Sequence, residues 1–205
     1  MSSHSDNLSN PSVRNILIGV TGSVATIKLP HLVRHFLSDP TVEVKVVTTK
    51  HARHFFNKED LPNSCEVLGD EDEWKMWNKM QDPVLHIELR NWADMLVIAP
   101  LDANTLSKCA NGLCDNLLTC IIRAWDITRP IVIAPAMNTN MWSHPFTARH
   151  LNILTKEFGY HVVQPVSKKL ACGDVGVGGM ADPLVIVNTA KAVLDSSVGK
   201  CTKTQ

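Results

Sequence analysis

Ile16-Leu17-Ile18-Gly19-Val20-Thr21-Gly22-Ser23-Val24-Ala25 reads as a strand, a turn and the opening of a helix. The first five residues are apolar without alternation, the pattern of a strand covered on both faces. Thr21-Gly22-Ser23 makes the turn, and Ser23 is placed to cap a helix running to about Leu37. The pattern repeats downstream. Val42–Val47 is a second strand, followed by a short helix around His51–Phe56. Asp94–Pro100 is a buried strand, and a long amphipathic helix follows from about Asn104 to Trp125. Pro130–Pro135 repeats the strand-then-proline ending. A helix at 145–158, a strand at 160–164 and a final helix at 184–195 complete the chain. Strands alternating with helices build right-handed β-α-β units, hence an α/β three-layer sandwich of Rossmann type around a central parallel sheet. No repeat, linker or second composition regime interrupts it, so residues 13–197 read as one domain. Residues 1–12, rich in Ser and Asn with no apolar period, read as a disordered leader, and 198–205 as a flexible tail.

The 205 residues carry 20 Lys plus Arg against 20 Asp plus Glu, a formal net charge of zero, with a hydrophobic fraction of 44%. Affinity for nucleic acid or a membrane surface rests on basic patches, so neither partner is expected. A near-neutral surface also does little to oppose self-association. No apolar run is long enough to span a bilayer. Cys65, Cys109, Cys114, Cys120, Cys172 and Cys201 form no C-x-x-C, and no His/Cys spacing fits a zinc site, so no metal is expected. Cys109, Cys114 and Cys120 fall in a helical pattern and read as small core residues. No signal peptide opens the chain, so free thiols in a reducing cytoplasm are the expectation.

Ligands of such sheets bind beyond the carboxyl ends of the strands. Three loops lie there: Thr21–Ala25, Pro100–Thr105 and Pro135–Trp142. Gly22-Ser23-Val24 at a helix start offers backbone N–H groups and a hydroxyl to one phosphate. It is not G-x-G-x-x-G, so a mononucleotide fits better than a dinucleotide, and a plain strand-to-helix turn has the same sequence. Asn104 and Thr105 are donors for ring or phosphate oxygens, or simply helix caps. Asn138 offers a donor and an acceptor, and Met137, Met141 and Trp142 offer surface for a flat ring or a neighbouring subunit. Lys169-Leu170-Ala171-Cys172-Gly173-Asp174-Val175-Gly176-Val177-Gly178-Gly179-Met180-Ala181 sets one thiol beside four of the ten glycines. So costly a run of glycine marks a segment that moves or lies close against a ligand, and a thiol there is a chemical group deliverable to a covered site. In Asp82–Arg90, Leu85, Ile87 and Leu89 alternate around His86 and set it on the opposite face, toward solvent or a cleft. Its ordinary pKa of ~6.5 suits proton transfer.

Several stretches occur together and in order: Gly22-Ser23-Val24-Ala25 with Lys28, Asp82-Pro83-Val84-Leu85-His86-Ile87, and Ala99-Pro100-Leu101-Asp102-Ala103-Asn104-Thr105. Cys114-Asp115-Asn116-Leu117-Leu118-Thr119, Pro135-Ala136-Met137-Asn138-Thr139-Asn140-Met141-Trp142 and Lys168-Lys169-Leu170-Ala171-Cys172-Gly173-Asp174 follow. Over about residues 14–195 the chain thereby resembles the homo-oligomeric flavin-containing cysteine decarboxylases. The resemblance implies a flavodoxin-like fold, bound FMN and a homotrimer with flavin sites near subunit contacts. It places Gly22, Ser23, Val24, Thr48, Thr49, Lys50, Asp102, Ala103, Asn104, Thr105 and Ala136 at the cofactor. It makes His86 and Cys172 catalytic and gives the substrate carboxylate to Asn138. It sets Lys169 beside the substrate and ties Met141 to the flavin site and to assembly. The implied substrate is a small phosphorylated cysteine amide, its phosphate meeting Lys28 or Lys169.

The implied reaction is redox-neutral. A flavin takes a hydride equivalent from the S–Cβ unit, CO₂ leaves, and the hydride returns as an acid supplies a proton. His86 is the candidate base or positioner and Cys172 the candidate proton donor. A neutral Asn138 avoids over-stabilising the ground-state carboxylate. Two other readings share the resemblance. One is an inhibitory protein-phosphatase subunit, which in such relatives lacks the cysteine and carries long acidic extensions. The other is a peptide-cysteine decarboxylase, which needs a groove for a peptide terminus. Cys172 and the short ending Lys200–Gln205 favour the enzyme. A flavin prenyltransferase is disfavoured by the pairing of Pro-Ala-Met-Asn with Ala-Cys-Gly-Asp.

Overall fold

The computed structural model describes the backbone of residues 13–201 and the side chains of residues 13–197. Residues 1–12, expected to be disordered, and 202–205 of the expected tail lie outside it. Its central sheet has six parallel strands: β1 Arg14–Val20, β2 Val42–Thr48, β3 Glu66–Leu68, β4 Met95–Leu101, β5 Ile131–Pro135 and β6 His161–Val162. Their order is β3-β2-β1-β4-β5-β6. The helices are α1 Leu29–Leu37, α2 Asp70–Met76, α3 Leu85–Trp92, α4 Ala103–Asn111, α5 Leu117–Arg123, α6 Thr139–Ser143, α7 Pro145–Asn152 and α8 Pro183–Cys201. A separate antiparallel hairpin joins β7 Val166–Lys169 to β8 Val175–Gly179.

The two-sided burial expected of β1 holds. Ile16 and Ile18 pair with Val44 and Val46 on one side and with Met95 and Val97 on the other. Because strand side chains alternate, Ile16, Ile18 and Val20 enter one apolar layer with Leu29, Phe36 and Ile186, while Leu17 enters the opposite layer with Leu85, Leu106 and Leu118. Each fully buried Leu or Ile contributes about 1.5–3 kcal/mol, and the layers hold many at 0–2% exposure. Helices α1 and α8 cover one face; α3, α4 and α5 cover the other. The strand order reverses between β1 and β4, which opens a crevice at their carboxyl ends.

Local departures from the sequence reading have local causes. The long helix expected over 104–125 is two helices. Gly112, at φ +71°, ends α4 with its N–H on the Cys109 and Lys108 carbonyls, and Asn116 starts α5 by accepting from Thr119 N. Cys109 is therefore buried, Cys114 lies exposed in the break and Cys120 is half-buried. Burial pushes the Cys109 thiol up to about 12, and those of Cys65 and Cys120 to about 11. The helix expected after Ser23 begins as a 3₁₀ turn, Val24–Lys28, before α1, and the short helix near 51–56 is a 3₁₀ turn, Ala52–Phe55. Past Asn152 the chain widens into a π turn, Ile153–Glu157, so the element expected over 145–158 is present but irregular. Backbone hydrogen bonding carries α8 to Cys201, past the 197 boundary read from the sequence. No described helix is long and apolar enough to cross a membrane. Among the described residues no cluster of His, Cys, Asp and Glu is arranged to hold a metal.

Candidate active site

The carboxyl ends of β1, β2, β4 and β5 gather the residues that the sequence assigns to a cofactor. Buried Thr21 ties two of these ends together: its Oγ1 donates to Pro100 O at 2.8 Å and accepts from Asp102 N at 2.8 Å. At Gly22 an added Cβ would stand 2.9 Å from His51 Cβ and 3.4 Å from Asp102 Oδ2, so three loops meet where only glycine leaves room. Asp102 caps α4, its Oδ1 accepting from Thr105 N at 2.7 Å. That supports the cap reading of this polar cluster, and Thr105 is buried beneath it. Ser23 Oγ accepts from Ala25 N at 3.4 Å, a long bond that leaves its hydroxyl available. Thr48 and Thr49 close β2 in buried positions, whereas Lys50 and Asn104 are exposed. Ala136 is 3% exposed, with its N–H on Leu101 O at 3.0 Å. The Thr49 Oγ1 is buried without a hydrogen-bond partner. A buried hydroxyl left so costs about 1–3 kcal/mol, and a polar ligand in the crevice would satisfy it. Together with the glycine-lined approach at residue 22, this fits a phosphorylated flat cofactor such as FMN.

The second group lies around a cavity of about 360 Å³ lined by Ser23, Val24, Lys28, Ala136, Asn138, Lys168, Lys169, Cys172 and Met180, among others. The thiol sits at the tip of the β7–β8 hairpin. Leu170 N donates to Asp174 O at 2.8 Å and Gly173, at φ +94°, donates to Leu170 O at 2.9 Å, which closes the turn. Asn138 caps α6 by accepting from Asn140 N at 2.8 Å through Oδ1. That bond fixes the amide so that Nδ2 faces the hairpin, 3.1 Å from Cys172 Sγ and 2.7 Å from Asp174 Oδ2. Cys172 Sγ in turn donates to Asp174 Oδ2 at 3.3 Å. Capping through Oδ1 thus leaves Asn138 Nδ2 facing the hairpin on the cavity wall.

The glycine-rich stretch is a hairpin rather than an irregular loop, and its glycines permit close approach. An added Cβ at Gly178 would overlap the Met137 carbonyl oxygen, and one at Gly176 would come within 2.8 Å of the Thr139 side chain. Met137 N donates to Gly178 O at 2.9 Å, which docks the hairpin on the Pro135–Asn138 loop.

Two of the residues assigned to catalysis or substrate, His86 and Met141, do not line this cavity. His86 lies in the first turn of α3, so the alternation read from Leu85, Ile87 and Leu89 is corrected: a helical period puts Leu85 and Leu89 inward, leaves Ile87 partly covered and leaves His86 half-buried. Its Nδ1 contacts Glu73 Oε1 on α2. α3 packs through Leu85 and Leu89 on the apolar layer opposite the one that holds Met180 and Leu29, and His86 does not line the cavity that holds Cys172. Met141, 49% exposed, lines a different hollow with Ala103, Leu106 and Phe146. Sequence reasoning missed Glu73, Asp174 and Lys168. Asp174, two residues beyond Cys172 across a glycine, carried a usable signal as a tight-turn carboxylate. Glu73 carried none, being one acid in the run Asp70-Glu71-Asp72-Glu73.

The Flavoprotein family model matches residues 2–195. A phosphopantothenoylcysteine decarboxylase of Mus musculus is 56% identical over 179 residues, which span 87% of this chain and 86% of that protein. One of Arabidopsis thaliana is 54% identical over 186 residues, spanning 91% and 88%. Among solved structures, a mutant PPC decarboxylase complexed with pantothenoylaminoethenethiol superposes with a TM-score of 0.86 at 54% identity, covering 89% of this chain and 99% of that one. The FMN binding protein AtHal3 superposes at 0.83 with 55% identity, covering 89% and 97%.

Proposed function

Since the chain belongs to the Flavoprotein family, we propose that it is an FMN-dependent carboxy-lyase that converts phosphopantothenoylcysteine to phosphopantetheine and CO₂, a step of coenzyme A biosynthesis. The observation that carries this reading is the pairing of Asn138 Nδ2 with Cys172 Sγ at 3.1 Å on the wall of a cavity that also reaches Ser23 and Ala136. It sets a carboxylate-binding amide and a proton-bearing thiol side by side, next to the residues assigned to the cofactor.

FMN, held by the Gly22–Val24, Thr48–Lys50 and Asp102–Thr105 loops with Ala136, supplies a reversible two-electron sink when bound. The chain's own residues do the rest. Asn138 grips the substrate carboxylate through a neutral N–H, which orients the scissile bond without the ground-state stabilisation that a lysine would add. Asp174 gives up that N–H as the substrate carboxylate takes it. Cys172 protonates the carbon left after CO₂ departs, and the docked hairpin with Met180 excludes water. Lys28 or Lys169 meets the substrate's far end. His86, steadied by Glu73, serves as base or positioner at the substrate thiol.

Within one chain His86 is not among the residues lining the cavity that holds Cys172, which supports a site completed by a second copy. A homotrimer with sites between subunits provides that copy, and exposed Met141 and Phe146 supply apolar contact surface for it. The unpaired described cysteines suit a reducing cytoplasm. The test is incubation of flavin-loaded protein with phosphopantothenoylcysteine under mass-spectrometric detection of CO₂. Stoichiometric CO₂ and phosphopantetheine are expected. Absence of CO₂ from fully loaded protein overturns the reading.

A further inference from the structure

The acidic run Asp70-Glu71-Asp72-Glu73 opens α2, and its members do different things. Asp70 Oδ1 accepts from Leu117 N at 2.8 Å, which ties α2 to the start of α5. Asp72 Oδ2 accepts from Gly69 N at 2.8 Å, and the Arg53 guanidinium lies 3.7 Å from it. The first turn of α2 is therefore held from two sides. The Glu71 side chain faces solvent at 78% exposure, whereas that of Glu73 is turned inward at 14%. There its Oε1 meets Nδ1 of His86, itself 26% exposed in the first turn of α3. Cys120 of α5 lies within reach of the same charge. Burial, and then Glu73, push its thiol up to about 11, so it keeps its proton near neutral pH. A carboxylate drawn out of water needs a donor. A carboxylate oxygen only accepts, so the hydrogen of this contact sits on Nδ1 and Nε2 is left with a free lone pair.

We propose that Glu73 is a positioning residue for the reaction: acting through His86, it fixes the ring with its hydrogen on Nδ1, so that Nε2 is the atom that takes the substrate's thiol proton. The proposal rests on the decarboxylase reading above. The substrate S–H bond breaks as the Nε2–H bond forms, and the electron pair stays on sulfur. The imidazolium so made lies against the Glu73 carboxylate, which offsets its charge in place of water. The same proton returns from Nε2 to sulfur when the product thiol forms, so the pair ends the cycle as it began. A histidine without this partner divides itself between two tautomers, and only the one hydrogenated at Nδ1 leaves Nε2 free. The anchoring of α2 by Asp70 and Asp72 keeps the contact in one place, and a base loses rate steeply when it is misplaced.

Flavin-loaded wild type, Glu73→Gln, Glu73→Leu, His86→Asn and the double variant Glu73→Leu with His86→Asn are compared for CO₂ release from phosphopantothenoylcysteine, with flavin content and Tm measured on each. For Glu73→Leu kcat is expected to fall on the order of 100-fold with KM nearly unchanged. Glu73→Gln, whose amide oxygen still accepts from Nδ1 but carries no charge, is expected to fall less, and it keeps the test decisive where the leucine variant folds poorly. In the His86→Asn background Glu73→Leu is expected to cost nothing further. Losses that multiply across the two sites, a rise in KM alone, or an undiminished kcat overturns the proposal. Heteronuclear NMR of nitrogen-labelled histidine gives a readout without turnover: wild type and Glu73→Gln are expected to show His86 hydrogenated at Nδ1, and Glu73→Leu to shift toward the Nε2 form. A wild type with the hydrogen on Nε2 overturns the proposal too. A wild type with the hydrogen on Nδ1 that releases no CO₂ would sink the decarboxylase reading alone.

Discussion

Replacing Gly178 with alanine tests whether hairpin docking positions the thiol. Gly178 sits at φ +148°, where an L side chain is strained by about 1–3 kcal/mol. The new Cβ would also overlap the Met137 carbonyl oxygen, a backbone atom that cannot step aside as a side chain can. Relief requires lifting β8 away, which breaks the 2.9 Å bond from Met137 N to Gly178 O and loses about 0.5–1.5 kcal/mol more. The total is about 1.5–4.5 kcal/mol. Were it all expressed globally, a domain of this size would lose roughly 3–18 °C in Tm. The β7–β8 hairpin is not hydrogen-bonded into the main sheet, so undocking is the cheaper response. The expected result is a Tm fall under about 4 °C, fast hydrogen exchange at the Met137 amide, and CO₂ release reduced about 100-fold as Cys172 leaves Asn138. A Met137 amide protected as in wild type, together with wild-type CO₂ release, would refute the reasoning.

Other perturbations separate the remaining roles. Cys172→Ser should keep flavin and oxidise the substrate but stall before product; full turnover to phosphopantetheine would remove the thiol from the mechanism. His86→Asn should keep the fold and FMN while CO₂ release falls by about 10²- to 10⁴-fold; an unchanged rate removes His86. Asp39 accepts from Thr41 Oγ1 and N and from Lys191 Nζ, and these bonds hold its carboxyl well below the usual range. A depressed folded pKa contributes stability above the unfolded value of ~3.9 that is lost as pH falls toward the folded one. Thermal melts between about pH 5 and pH 2 should therefore show a flatter acid limb for Asp39→Asn than for wild type. An equally steep limb contradicts the assignment.

The unbroken apolar run at 16–20 announced a strand buried on both faces, and its repetition at 94–100 and 130–135 announced the parallel sheet. Periodicity is a local property, so a single chain displays it without knowing its neighbours. The turn after β1, the asparagine after β5 and the lone thiol among glycines were legible for the same reason, since residue type and spacing carry their chemistry. Local pattern misled where two periods compete. Leu85, Ile87 and Leu89 alternate as in a strand, yet Leu85 and Leu89 also fit one helical face, and burial against α5 chose the helix. What the hairpin does was equally out of reach, because Gly178 and Gly179 gain their meaning from Met137 and Lys168, which meet them only in space. Tertiary structure alone decided that Glu73 faces His86, that Asn138 holds both Cys172 and Asp174, and that Lys168 stands over Lys28. It also left His86 out of the cavity that holds Cys172. Composition and spacing determine which groups a chain owns, whereas sheet order and helix packing determine which of them share a cavity.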